Sequence, residues 1–386
     1  GRGCQGSGGQ QVSIASLRVA RRLLTLGALW LVACSSGPQY KPVDIPSVPV
    51  VQEVKQVWTL ALGPVPATLV PAVQSNAVVV INTRGEMQGV DLNAGRSLWR
   101  VALNQTISAG VGSDGQRHAV VTTGNELVVV QESKVLWRYR LPAQSFTAPL
   151  VAGQRVFVLL ADRSVLGFDG ATGRLLWTQS RPGDPLVLKQ AGALTAVGDT
   201  LVAGLSGRLV GINPTTGALR WDAPIATPRG TNDLERLVDV VGPLSRQGDE
   251  LCARAYQSQV GCVNAVRGQV RWTRNANSDD GVHGNDQLVI GTEANGVVIA
   301  WQRSSGERVW QADRLRYRRL SAPLVTPKGI VLTDSGGWAY LMSLTDGALL
   351  NRWKTDDTEL AGYPQAFAGG FLLLNRSGRL AAYQFP

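Results

Sequence analysis

The stretch Val90-Asp91-Leu92-Asn93-Ala94-Gly95-Arg96-Ser97-Leu98-Trp99 decides how the rest of the chain folds. It runs from the end of one strand, through a tight turn, into the start of another. Asp91 and Asn93 are turn formers whose side chains bond nearby backbone amides. Gly95 can take a positive φ at which a side chain would clash. Trp99 then places a large apolar anchor on the new strand.

The pattern recurs. Phe168-Asp169-Gly170-Ala171-Thr172-Gly173 leads to Trp177, and Ile212-Asn213-Pro214-Thr215-Thr216-Gly217 leads to Trp221. Val263-Asn264-Ala265-Val266-Arg267-Gly268 leads to Trp272, and Gln302-Arg303-Ser304-Ser305-Gly306 leads to Trp310. In each copy the Asp, Asn or Gln stands four residues before the glycine and the Trp four after it. Two copies are degenerate. Around Gln131-Glu132-Ser133-Lys134 the glycine is missing but Leu136-Trp137 remains, and after Asp346-Gly347 the Trp arrives two residues late, as Trp353. With Trp58 there are eight anchors, separated by 38 to 51 residues.

A repeat of about forty residues built from short strands is the signature of a propeller blade. Hairpins such as Ala77–Asn82 with Met87–Val90, or Arg155–Leu160 with Ser164–Phe168, supply the inner strands of each blade. The Trp-bearing strand lies outermost. The last hairpin, ending in Leu380–Gln384, lacks a Trp strand, while Gln56-Val57-Trp58-Thr59-Leu60 has no blade of its own. The chain is therefore expected to be all-β: an eight-bladed β-propeller of four-stranded antiparallel blades over residues 56–386, closed by the N-terminal strand. Abundant Val, Leu and Thr suit strands, high glycine suits tight turns, and sustained helical periodicity is absent.

The 386 residues carry a formal charge of +10. Arg2, Arg18, Arg21 and Arg22 are the only charges in residues 1–33, so removing that segment leaves +6. A nucleic-acid binder concentrates such charge in a patch with stacking aromatics; here it is spread over the blades, and no nucleic-acid partner is expected. The densest cluster, Arg314, Arg316, Arg318 and Arg319 around Tyr317, reads as a solvated strand face.

Residues 1–33 read as an export signal. Arg18, Arg21 and Arg22 precede the apolar run Leu23–Val32, which is too short to span a bilayer. The first dozen residues do not fit that signal, and Val12, read from an alternative start codon, is the expected start. Cys4 would then fall outside the natural protein. Leu31-Val32-Ala33-Cys34 resembles the bacterial lipobox, which implies a diacylglycerol-bearing Cys34 at the mature N-terminus. Ser35 stands where an Asp would retain such a protein at the inner membrane, so the resemblance implies the periplasmic face of the outer membrane. Residues 34–55, with Pro38, Pro42, Pro46 and Pro49, read as the lipidated Cys and an extended tether. Cys252 and Cys262 could face each other across a hairpin, as a disulfide or as two buried thiols.

Catalytic constellations are lacking. His118 and His283 lie in different repeats and outside any metal spacing, and read as isolated surface residues. Asp279-Asp280 near Asn275 and Asn277 lacks the glycine and terminal glutamate of a calcium loop and reads as a polar loop. No metal and no cofactor are expected.

The Asp-x-x-x-Gly-x-x-x-Trp repeat resembles that of propellers related to quinoprotein dehydrogenases. Together with the lipobox and the length, it is similar to the BamB family, the lipoprotein propellers of the outer-membrane β-barrel assembly machinery. That resemblance implies a non-catalytic scaffold that binds the POTRA domains of BamA and guides nascent outer-membrane proteins, in part by strand addition. Two stretches break the repeat rhythm, 181–190 and 227–239. In the family, two such loops contact BamA. Leu186, Leu188 and Lys189 match the first, with Lys where Arg is usual. Glu235, Arg236, Leu237 and Asp239 match the second, and Val241 stands where a second acid can occur. The rival expectations are a quinone-dependent dehydrogenase, which is normally longer and often carries a Cys-Cys pair, and a lipid-anchored ligand sensor using the central funnel.

Overall fold

The computed structural model describes residues 40–386, apart from 46, 182–187, 229–230, 232–236 and 357. Cys34, with the rest of the export signal and lipobox, lies outside the described residues. So do Leu186, Glu235 and Arg236 of the two loops.

The described residues form 32 strands in eight four-stranded antiparallel sheets, without a helix. Blade 1 consists of Ala72–Val73, Ala77–Ile81, Glu86–Asp91 and Ser97–Ala102, from the axis outward. Six further blades follow in sequence order. In the eighth, Gln365–Phe367, Gly370–Leu374 and Arg379–Gln384 are completed by Lys55–Ala61. The two chain ends pair antiparallel, with Trp58 opposite Ala382 and Leu60 opposite Leu380. The expected closure by the N-terminal strand is what the structure has, and it leaves no blade short of a strand.

Burial follows strand position. Val78, Val79, Val80 and Ile81 are all buried, because a middle strand has a neighbouring blade on each face. Ser97–Ala102 alternates between half-buried and exposed residues, as an outermost strand should. β-Branched residues fill the middle strands because they pack well on a pleated surface.

The tryptophans join one blade to the next. The Asp91 carboxylate accepts the amides of Asn93 and Ala94, and Gly95 donates its amide to the Asp91 carbonyl. The ring of Trp58, from blade 8, lies against Gly95 in this turn, and its indole N–H donates to the Leu92 carbonyl at 2.8 Å. Trp137, Trp177, Trp272 and Trp310 repeat the contact on the turns of blades 3, 4, 6 and 7, with N–H···O distances of 2.7–3.0 Å. Trp221 lies against the turn glycine of blade 5.

Two tryptophans do otherwise, both for reasons visible in the sequence. Trp99 meets the turn that has lost its glycine, and stacks on His118 at 4.8 Å between ring centroids. Trp353 meets blade 8, where the chain ends in place of a turn, and packs on Phe371 and Tyr383. His118 is thus a buried structural residue rather than a surface one; its Nδ1 lies 2.8 Å from the Ser113 hydroxyl.

Within the expected extended tether, Val43, Ile45, Val51 and Val54 lie against the propeller. The Val43 amide donates to the Arg316 carbonyl at 3.1 Å, and the Val51 amide to Leu350 at 2.9 Å. Ile45 and Val54 pack on the cores of the adjoining blades. The Pro-rich composition suggested a spacer, but the interspersed apolar side chains find partners.

In blade 5, Cys252 and Cys262 are directly opposite each other, with Cα atoms 4.0 Å apart and the sulfurs bonded. Both are fully buried.

The turn glycines give a direct test of the tryptophan contact. Gly306 has φ +70°, and a Cβ there would lie 2.4 Å from the Trp272 ring; Gly248 has φ +56° with open space around it. Gly248→Ala should cost about 1 kcal/mol from backbone strain alone. Gly306→Ala should cost distinctly more, read as a larger drop in the urea midpoint. Equal midpoints would show that the ring does not lock the turn.

Candidate functional site

The blades present two unlike faces. In an antiparallel four-stranded blade, the turn before the outermost strand opens on one face. The link from that strand to the next blade opens on the other. The first face carries the tryptophan-capped turns. The second carries both irregular loops: 180–193 joins Leu175–Gln179 to Leu194–Val197, and 225–239 joins Leu219–Pro224 to Val240–Gln247.

The described residues of the two loops meet. The Leu188 amide donates to the Asp239 carboxylate at 3.2 Å. Asp239 also lies 3.6 Å from the guanidinium of Arg163. Leu188, Leu237 and Asp239 are half-buried and Lys189 is exposed. The first loop is held at both ends. Arg181 and Arg208 both bond the Asp222 carboxylate at 2.5 Å. Burial works against the ionisation of Asp222, yet these hydrogen bonds hold its carboxyl below the usual range. At the other end the Gln190 side-chain amide donates to the Asp279 carbonyl.

Arg163 was not among the expected site residues. It occupies the hairpin-turn position at which blades 1, 4, 6, 7 and 8 place Gly85, Gly207, Gly296, Gly337 and Gly378, all at positive φ. Arg163 adopts φ +64° there despite its side chain. A long side chain in this region carries some strain, as Asn125 does at the same turn of blade 2. Here the side chain reaches Asp239. Aligning the repeats turn by turn would have singled it out.

Beside the loops, an axial cavity of about 300 Å³ opens on the same face, lined in part by Lys189, Gln190, Asp279, Asp280, Arg319 and Glu359. Glu359 pairs with Arg376 at 3.3 Å and Arg319 at 3.9 Å. The Asp280 carboxyl is pushed up to about 7, chiefly by burial and then by the charge of Asp279, while Arg254 and Arg319 pull the other way. Asp279-Asp280 is therefore part of the funnel wall rather than an outer polar loop. His283 accepts a hydrogen bond from the Val325 amide at 3.1 Å. Burial, and then Arg303, lower its pKa to about 4, so it is a neutral structural residue.

The Arg314–Arg319 run is also not a strand face. It forms the turn after the outermost strand Arg308–Ala312, again on the loop face. Leu315 is fully buried and pins it, Arg314 and Arg316 point outward, and Arg318 pairs with Asp334 at 3.0 Å.

A closed ring of eight such blades, with tryptophan-capped turns on one face and irregular loops around a funnel on the other, defines a propeller of the quinoprotein-like class. The solved BamB of Moraxella catarrhalis shares this fold, with a TM-score of 0.79 and 21% identity over 86% of this chain and all of that one. The quinohemoprotein alcohol dehydrogenase of Comamonas testosteroni also shares it, with a TM-score of 0.67 and 11% identity over 90% of this chain and 78% of that one. These likenesses speak to the fold alone. The sequence goes further: the chain belongs to the family of outer membrane protein assembly factor BamB, whose profile matches residues 83–312. It is 32% identical to the BamB of Burkholderia pseudomallei over 92% of this chain and 95% of the relative. To that of Bordetella pertussis it is 31% identical, over 92% and 94%.

Two outcomes test this geometry. Arg163→Gly should preserve or raise the thermal midpoint while speeding tryptic cleavage after Lys189, because the brace on Asp239 is lost; unchanged cleavage would deny Arg163 that role. For Asp280, the folded chain keeps a proton that the unfolded chain releases. Its stabilising contribution is full below the ordinary carboxyl range and is lost as pH rises through about 7. Asp280→Asn should therefore raise the melting temperature near pH ~8 and leave it unchanged near pH ~4. An equal rise at both would assign the effect to packing.

Proposed function

We propose that this chain is a non-catalytic scaffold of the outer-membrane β-barrel assembly machinery, held at the periplasmic face of the outer membrane by lipid on Cys34. It binds the POTRA domains of BamA through Leu186, Leu188, Lys189, Glu235, Arg236, Leu237 and Asp239. Family membership supports the assembly role. The observation that carries the site is the Leu188 amide donating to Asp239, residues 51 apart in sequence on two different loops. Leucines on such a surface bury apolar area, and the charges orient the partner. Lys189 offers a point charge where an arginine would offer a bidentate fork.

Nascent outer-membrane proteins are a second proposed class of partner, adding strands to the outermost edges of blades. Those edges carry Arg100, Arg138, Arg140 and Arg274, charges that discourage indiscriminate pairing.

The test is capture of purified POTRA domains by residues 40–386, beside Leu188→Ala and the double variant Leu188→Ala with Asp239→Ala. Leu188→Ala should weaken binding about tenfold, the loss of about 1.4 kcal/mol, and the double variant should abolish capture with an unchanged circular dichroism spectrum. Capture unaffected in both variants would overturn the site and keep the scaffold. Capture absent in all three proteins, with quinone-dependent dye reduction in the presence of calcium, would replace the scaffold with the dehydrogenase reading.

A further inference from the structure

We propose that the arginine turn 313–319, with the neighbouring rim of blade 7, is a docking surface for anionic phospholipid headgroups, so that one edge of the loop face rests on the membrane. The proposal rests on the reading of Cys34 as the lipidated residue.

The first argument is chain length. The described chain reaches this turn at Val43, which is fixed there from both sides. Its amide donates to the Arg316 carbonyl at 3.1 Å, and its carbonyl accepts from the Arg318 guanidinium at 3.0 Å. Val43 stands nine residues after Cys34. Fully extended, this stretch spans about 30 Å at most. The acyl chains of Cys34 therefore hold this turn within that reach of the bilayer, whatever the rest of the propeller does. A weak contact made at such an effective concentration is occupied far more than its free affinity would suggest.

The second argument is the chemistry presented there. Arg314 and Arg316 are exposed on either side of the buried Leu315, and the Arg316 guanidinium lies over the Tyr317 ring at 5.4 Å. Arg319 is 73% exposed, and it pairs with Glu359 at 3.9 Å, an acid shared with Arg376. Asp313 is the one exposed acid within the turn itself. Arg318 does not count, since Asp334 and Val43 already occupy it. On the rim of blade 7, Arg352 and Lys354 lie over the Trp338 ring at 5.2 and 5.3 Å. Trp338 pairs with Lys354 at the end of the blade that opens on the same face. Guanidinium and ammonium groups interleaved with Tyr and Trp are the composition of a membrane interface, where cations meet phosphates and amphipathic rings sit at headgroup depth.

The third argument is the separation of Arg314 and Arg316 from the partner loops, although Arg319 shares the funnel wall with Lys189. The turn links blades 6 and 7, whereas Leu188 and Asp239 lie where blades 3, 4 and 5 adjoin. One edge can rest on lipid while the other meets a protein.

The test uses the unacylated mature chain, Cys34→Ser, sedimented with vesicles of phosphatidylcholine alone or with a third of phosphatidylglycerol. The chain should sediment with the anionic vesicles at low salt and be released by high salt. The triple variant Arg314→Ala, Arg316→Ala, Arg319→Ala should lose on the order of a hundredfold in partitioning. The control triple Arg96→Ala, Arg174→Ala, Arg267→Ala removes the same charge from exposed turns on the opposite face, and should lose little. Equal losses in the two triples, no loss in either, or indifference to phosphatidylglycerol would each overturn the proposal. The Cys34 reading is checked separately, by the mass of the protein extracted from membranes. An unacylated Cys34 would remove the chain-length argument and leave the vesicle result standing.

Discussion

Everything in this fold depends on an indole ring set against a turn of the next blade. A four-stranded sheet of this size is not stable by itself, because it must bury both faces against neighbours. The tryptophan solves the problem at the rim, where the middle-strand Val and Leu residues no longer reach. Its ring covers backbone that only a glycine turn leaves open, and its N–H satisfies a turn carbonyl that the ring would otherwise cut off from water. The Trp272 indole donating to the Arg303 carbonyl beside Gly306 shows both halves of the contact. Because each lock joins neighbouring blades, the turns on that face follow the repeat closely, whereas the two long insertions fall on the other.

That division governs what could be learned from sequence. Blade number, the outer position of the tryptophan strands and closure by the N-terminal strand were legible, since each is a spacing. The degenerate copies were informative too. Trp99 and Trp353 have no glycine turn to meet, and both found aromatic neighbours instead. The Arg314–Arg319 turn misled because Arg-Leu-Arg-Tyr-Arg alternates with the period of a strand, although Leu315 is buried as a turn anchor. The prolines marked an extended segment, but gave no sign that Ile45 and Val54 each had a core to join.

The loop face holds what spacing cannot encode. The contact of Leu188 with Asp239, and that of Asp239 with Arg163, bring together residues from three blades. No local pattern predicts which carboxylate will receive which amide across the ring. The same holds for Asp280, whose burial follows from the width of the funnel rather than from its neighbours in sequence. Only Arg163 left a trace, as an arginine where five sister turns have glycine.

The pairing of Lys55–Ala61 with Arg379–Gln384 also sets an order of events. A chain made from its N-terminus has the first of these strands early and the second only after the strands of seven other blades. Seven blades can assemble from contacts local in sequence, but the eighth waits for the strand pairing of highest sequence separation among the described residues. Until Arg379–Gln384 is made, Lys55–Ala61 lacks its strand partner. Closure of the ring therefore waits on Arg379–Gln384, and a chain cut short before Arg379 would keep an open, unpaired edge.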